Sequence, residues 1–414
     1  MKTIVLLAFL VVVAVGYWLK YLNLSHLKAH GHEVPPEFAG AVDPATLAKM
    51  SDYTVEHSRF GLIESLFDNA VLILFLFGGL LAVYDRWILR LTNSFLWDGV
   101  LFALVLSYIQ TVIGAPFSLY STFRIENKYG FNTMTIKLWI TDLLKELAIG
   151  TVIGAVMVSG ALLLVTWSSG LWWLWVWLFF LVVSVFLMYI SPVLIEPLFF
   201  KFEPLKVEGL EDRIRQLMDK AGLRVSRVFQ VDASKRSKHS NAYFTGIGKV
   251  KRIVLFDTLL EQMTQEEILA VLAHEVGHWK KKHVLKRIIM TEAMAFIGLY
   301  LAYLLIKSPS LPAVLGMGQA SFFARVVILG FLSSIILFPL TPLFSWLSRK
   351  DEHEADRFAV ELTGDSKAMA SALVKLTKEN LSNLHPHPLY AAFYYSHPPV
   401  VERIRSLRTG ARSQ

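Results

Sequence analysis

The sequence predicts a mainly α-helical membrane protein, with about seven spanning helices and a smaller soluble α+β portion. Three observations carry that prediction. Of the 414 residues, 54% are hydrophobic and only 18% charged, whereas soluble domains are about 45–50% apolar and about 25% charged. The excess is gathered into runs of about 20 residues, the length of one bilayer crossing. Between the fifth and sixth runs, and again after the seventh, the pattern changes to amphipathic helix and short strand.

In order, the candidate spans are residues 3–22, 62–84, 96–117, 144–167, 171–189, 284–306 and 322–347. Tyr17 and Trp18 beside Lys20 have the composition of a membrane interface. No small-residue cleavage site closes the first run, so it reads as a retained helix rather than a leader. Ser168, Ser169 and Gly170 alone separate the fourth and fifth runs, which predicts a tight hairpin. Pro339 and Pro342 predict a kink in the seventh. Glu64 and Asp68 in the second run suit either a polar interior or a helix end.

Basic residues sort by connection. With the N-terminus outside, Lys28, Lys49 and Arg59 fall in the first connection and Arg124, Lys128 and Lys137 around the third. The fifth connection and the C-terminal tail are also rich in Lys and Arg, so the soluble parts are expected in the cytoplasm. The same asymmetry explains the net charge of +8 without any nucleic-acid partner. The chain has no cysteine, which excludes disulfides and thiol chemistry.

After residue 201 the reading is a helix over 210–221 stopped by Gly222, then strands over 227–231, 241–245 and 252–256. Gly246 and Gly248 mark a turn between the last two strands, and a further helix starts at Gln265. The expected division is residues 1–200, a membrane region of five spans, and residues 201–414, which contain two more. In the basic stretch from Lys280 to Arg287, the lysines and Arg287 read as lipid-headgroup anchors. His283 has the wrong spacing to share a face with the histidines before it.

Chemistry is concentrated at His274-Glu275-Val276-Gly277-His278. Residues four apart on a helix lie one above the other, so both imidazoles can share one metal ion. Glu275 then projects beside them, placed to take a proton from a water that the metal polarises. A catalytic zinc takes three protein ligands and leaves one position open. The third is expected on a separate element, and the run Asp351-Glu352-His353-Glu354 offers four candidates. Glu352 and Asp356 share a helical face, so one can ligate while the other hydrogen-bonds a ligand histidine.

Together these residues resemble the type I CAAX prenyl endopeptidases, membrane zinc proteases of the gluzincin type. The resemblance rests on His-Glu-Val-Gly-His-Trp at 274–279, Ser-Arg-x-x-Glu-x-x-Ala-Asp-x-Phe-Ala at 348–359 and His-Ser-Asn-Ala-Tyr-Phe at 239–244. It is extended by Arg-Ile-Val-Leu-Phe-Asp-Thr-Leu-Leu at 252–260, Ser-His-Pro-Pro at 396–399 and Lys-Tyr-Gly-Phe-Asn at 128–132. It implies seven helices around a chamber, with a gluzincin-type α+β protease domain on the cytoplasmic side. It implies one Zn2+ per chain, held by His274, His278 and Glu352, with Glu275 as general base and Asp356 supporting a ligand. It further implies His397 as oxyanion stabiliser, Arg403 pointing into the site, and Asn241 and Ala242 on an edge strand that binds substrate. The implied partners are the lipid bilayer and a peptide or protein substrate, prenylated in that family. The implied location is a multi-pass position in the plasma or inner membrane of a bacterium, or in the endoplasmic reticulum of a eukaryote. Two other readings compete: a membrane quality-control protease without prenyl specificity, and a non-catalytic scaffold stapled by zinc. Glu275 argues against the scaffold, since a structural site has no use for that base.

Overall fold

The computed structural model describes residues 1–245 and 250–410. The turn expected at Gly246 and Gly248 lies outside the described residues. Among these, seven helices are long and apolar enough to cross a membrane. They are α1 (Lys2–His30), α2 (Pro44–Phe77), α3 (Phe95–Tyr120), α4 (Ile136–Trp167) and α5 (Trp172–Ile190). The soluble part inserts α6 (Leu210–Lys220) and α7 (Gln265–Lys280) before the last two spans. These are α8 (His283–Leu305) and α9 (Phe322–Leu337), which runs on into α10 (Thr341–Thr363). Shorter helices follow, among them α11 (Ser366–Glu379) and α12 (Val400–Gly410). At most 11% of the residues in the apolar stretch of any span are buried within the chain. Side chains such as Ile4, Val112 and Ile336 are left for lipid to cover.

Local chemistry sets the boundaries. Helix α2 begins where Asp43 accepts a hydrogen bond from the Thr46 amide, with Pro44 in the first turn. It ends at Gly78, because Gly79 takes φ 87°. The second span is therefore not continuous to residue 84: a separate short helix, Leu80–Ile88, buries Leu81, Tyr84 and Ile88 beyond the glycine pair. Hydropathy alone ran across that break, since both sides are equally apolar. The expected hairpin between α4 and α5 and the kink at Pro339, a 3-10 turn over Phe338–Leu340, are both present. The start of α1 (Phe9), the end of α2 (Leu76, Phe77), the start of α3 (Phe102), the end of α4 (Leu162) and the start of α9 (Phe323) share one apolar cluster. Antiparallel neighbours in an up-and-down bundle meet this way.

Among the described residues the strands are β1 (Phe202–Pro204), β2 (Arg224–Val231), β3 (Ala242–Thr245) and β4 (Val250–Phe256). Their order in the sheet is β1-β2-β4-β3, with β2 and β4 parallel and both outer pairs antiparallel, so β3 is an edge. The sheet and α7 build the second core around Ile253, Leu255, Ile268, Leu272 and Val276. Each such side chain, fully buried, contributes about 1.5–3 kcal/mol. Phe38, Met50, Ile125, Tyr129 and Phe131 from the membrane half enter the same core. The segment after α3 also fixes the approach to β3. Gly130 turns at φ 87°, the Lys238 amide donates to the Phe131 carbonyl, and Phe131 stacks on His239 at 4.1 Å between ring centres.

Candidate active site

Helix α7 starts at a capping box: Thr264 accepts from the Glu267 amide while the Glu267 carboxylate accepts from the Thr264 amide. Glu267 also takes the Ser371 hydroxyl at 2.6 Å and Lys375 at 2.7 Å, which ties α7 to α11. Ile268, Leu272, Ala273 and Val276 bury one face, and the polar residues at 274, 275 and 278 lie on the other. Gly277 lets α10 come close: a Cβ placed there would meet the Ala355 Cα at 2.9 Å. That approach brings Glu352 to the histidines.

Three donor side chains converge in a triangle. His274 Nε2 and His278 Nε2 are 3.1 Å apart, and the two Glu352 oxygens stand 3.3 Å from His274 Nε2 and 3.2 Å from His278 Nε2. Ligands in a tetrahedral zinc site, each about 2.0–2.1 Å from the ion, are about 3.3–3.4 Å apart. The separation of the two histidine nitrogens, and that of each from its nearer Glu352 oxygen, are close to an edge of that tetrahedron, and one donor atom from each of the three side chains lies within 4.8 Å of the others. Glu352 is 5% exposed, and its buried Oε2 receives no hydrogen bond of ordinary geometry. The Arg403 guanidinium stands 3.7 Å from that oxygen without a hydrogen bond, so the buried carboxylate still has a lone pair to offer a metal ion. The donor set, two imidazoles and one carboxylate, suits a borderline metal ion, and the residues fit one.

The surroundings are equally specific. His274 Nδ1 lies 2.8 Å from Asp356 Oδ1, on the ring edge away from the triangle. Asp356 is also held by Arg403, through Nε at 2.8 Å and Nη2 at 2.6 Å. Burial by itself depresses the His274 imidazole, but the carboxylates of Asp356 and Glu352 outweigh it and raise the ring to about 9. The site thus attracts positive charge, and a bound metal would displace that proton. Burial also pushes the Glu275 carboxyl up from its ordinary value, against the pull of the two histidines. A raised carboxyl is what a base working near neutral pH needs.

A cavity of about 560 Å³ opens on the triangle. His274, Glu275, His278, Glu352 and His397 line it, together with Leu181, Ser184, Val185 and Met188 of α5 and Val284, Arg287, Ile288, Thr291 and Glu292 of α8. His397 Nε2 is 3.4 Å from Glu352 Oε1, and its Nδ1 is 3.0 Å from the Ser396 hydroxyl. With Ser396 donating, Nε2 carries the proton and is a donor aimed at the site.

Every residue singled out in the sequence can now be located. His274, Glu275, His278, Glu352, Asp356, His397 and Arg403 come together, although Arg403 is 8% exposed and does not line the cavity. Asn241 and Ala242 are not among the cavity walls either. Asn241 immediately precedes β3, and its carbonyl accepts from the Phe256 amide. Strand alternation then turns the Ala242 backbone toward the open edge, where the Asn241 side chain covers its amide at 2.8 Å. Among the four acidic-run candidates, Glu352 faces the histidines, whereas Asp351 and Glu354 face His283. Two neighbours escaped the sequence reading. Arg287, read as a headgroup anchor, lines the cavity and donates to Ser348 Oγ at 3.1 Å. His283 packs behind His278, beyond a helix break at Lys282 (φ 58°) that carries no glycine to announce it.

Fold and site together define a multi-pass membrane metallopeptidase. Comparison with known proteins gives the family. Residues 23–201 match the family described as the CAAX prenyl protease N-terminal region with five membrane helices, and residues 204–411 match peptidase family M48. The chain is 37% identical to CAAX prenyl protease 1 homolog of Arabidopsis thaliana, over 94% of this chain and 93% of that one. It is 34% identical to CAAX prenyl protease 1 of Saccharomyces cerevisiae, over 94% and 90%. The crystal structure of S. mikatae Ste24p superposes with a TM-score of 0.91 at 30% identity, covering 98% of both chains. The chain belongs to peptidase family M48, a metallopeptidase family.

Proposed function

We propose that this protein is a zinc endopeptidase that cuts near the C-terminus of prenylated proteins, releasing the last three residues, with its site facing the cytoplasm. The observation that carries the zinc chemistry is the triangle of two histidines and Glu352, whose donor atoms approach one another to 3.1–3.3 Å, with Glu275 beside it. Support for a lipid-bearing substrate comes from the names of the relatives and from the cavity itself, where two membrane spans contribute apolar side chains (Leu181, Val185, Met188, Val284 and Ile288) beside polar ones. The division at residue 201, with the protease portion following it, is part of the same proposal.

His274, His278 and Glu352 would hold the ion, and Asp356 would fix His274 in the tautomer that presents Nε2. Bound zinc supplies a Lewis acid and lowers the pKa of water to about 7. Glu275 takes the proton of the attacking water and passes it to the leaving amine. His397 donates Nε2–H to the oxyanion of the tetrahedral intermediate. Arg403 holds Asp356 and neutralises the buried carboxylates. An extended substrate that displaces the Asn241 side chain from the Ala242 amide can pair with the edge there, giving orientation through the backbone rather than through side chains.

The experiment is cleavage of a farnesylated C-terminal peptide and its unprenylated twin, with products mapped by mass spectrometry. Release of the C-terminal tripeptide is expected, faster from the farnesylated form. Glu275→Gln is expected to retain about one metal ion per chain while turnover falls by about 10²–10⁴-fold. Undiminished turnover in that variant would refute the assigned base. Equal cleavage of both peptides would refute the lipid preference and favour a broader membrane-protein protease.

A further inference from the structure

The two histidines of the triangle are supported differently. His274 Nδ1 meets a carboxylate directly, at Asp356. His278 Nδ1 meets another imidazole: Nδ1 of His283, at 3.1 Å. His283 is 2% exposed, and its other nitrogen, Nε2, lies 3.3 Å from Glu354 Oε2 and 3.5 Å from Asp351 Oδ1. The Asp351 carboxylate is also 3.8 Å from Arg287.

Hydrogen-bond chemistry leaves one arrangement of protons. An imidazole that ligates a metal through Nε2 is neutral and carries its proton on Nδ1. His278 must then donate from Nδ1, and His283 Nδ1 must accept. A neutral imidazole that accepts at Nδ1 carries its proton at Nε2, where the Glu354 carboxylate waits. His283 cannot itself be a ligand, because it meets His278 at the ring nitrogen turned away from the triangle.

We propose that His283 is a positioning residue for the metal site: it accepts the Nδ1–H of His278, is itself anchored by Glu354, and so fixes the tautomer and ring plane in which His278 offers Nε2. The site is thereby braced on both sides, by Asp356 on His274 and by a two-step link, His283 then Glu354, on His278. The link also joins α7 to α8 and α10 beside the metal, so the orientation of His278 is set by three helices. This inference rests on the reading of the triangle as a metal site.

The test compares metal affinity in full-length, detergent-solubilised protein, measured as zinc competition with a chromogenic chelator. His283→Phe keeps an aromatic ring of similar size and removes the acceptor. His283→Asn places an amide oxygen near the position of Nδ1 and restores it. Loss of an outer partner of a ligand histidine lowers metal affinity by about 10–100-fold. That loss is expected in His283→Phe, with His283→Asn within a few-fold of the parent. Glu354→Leu, at a partly exposed position, should give a smaller loss in the same direction. Thermal unfolding of the metal-free forms separates this role from mere packing, since His283→Phe should unfold close to the parent without metal yet gain less stability when zinc is added. Parent-like affinity in His283→Phe, or equal losses in the Phe and Asn variants, would overturn the proposal. Failure of the parent itself to bind zinc would instead strike at the metal site.

Discussion

Gly277 sits between the two histidines, and its substitution tests how closely the site depends on helix contact. A Cβ on residue 277 would lie 2.9 Å from the Ala355 Cα, 3.1 Å from its carbonyl oxygen and 3.3 Å from its Cβ. Ordinary carbon–carbon contact is about 3.5–4.0 Å, so Gly277→Ala requires α7 and α10 to separate by about 0.6–1 Å. The nearest atoms are backbone, so no side-chain rotation relieves the clash. Glu352 is carried on α10 one turn before Asp356, and a metal site tolerates ligand displacements of only about 0.2 Å. Overpacking of this kind costs about 1–3 kcal/mol in stability. Metal affinity should fall on the order of 10–100-fold, as when a ligand's support is lost. Chelator competition and thermal unfolding of the solubilised variant would measure both. The double variant Gly277→Ala with Ala355→Gly should fail to recover either, because the Cα and carbonyl remain. A Gly277→Ala protein with parental zinc affinity and turnover would refute the reasoning that this contact sets Glu352.

Other expectations follow from the same geometry. Arg403→Met leaves Asp356 and Glu352 buried without their guanidinium, and breaking such a pair costs about 3–5 kcal/mol. Thermal unfolding should show that loss, and Arg403→Lys, which cannot make the bidentate bond, should recover only part of it. His239 places Nδ1 2.8 Å from Asn380 Oδ1 and Nε2 3.3 Å from Glu126 Oε2. The bond to Glu126 raises its pKa; burial opposes this, and the bond to Asn380 adds to the rise. Its stabilising contribution is therefore fully present below about pH 6.5 and is lost as pH rises through the elevated folded value. Thermal midpoints should fall over that range in the parent and fall less in His239→Gln, so superimposable pH curves would dismiss this account.

Much of the molecule was legible in the linear sequence because lipid imposes strong local rules. Runs of about 20 apolar residues can satisfy their backbone only as helices. Seven such segments were therefore countable, although the glycine break at 78–79 was hidden inside equally apolar flanks. The relation of His274 to His278 was also local, since helical periodicity alone stacks residues four apart.

What lies between elements was decided only by the tertiary structure. Four polar residues, 351–354, stood as equal candidates by spacing, and only the packing of α10 on α7, with Ala355 against Gly277, put Glu352 beside the histidines and Asp351 and Glu354 beside His283. His283 offered no periodic signal because the helix breaks at Lys282 before it, so its contact with His278 belongs to no single helix. Arg287 read as a membrane anchor for the same reason: its sequence neighbours are lysines, but its spatial neighbours are Ser348 and the cavity wall. Periodicity propagates along one helix through covalent geometry. Which faces of two helices meet is set by volume and contact over the whole core, and no local window contains that information.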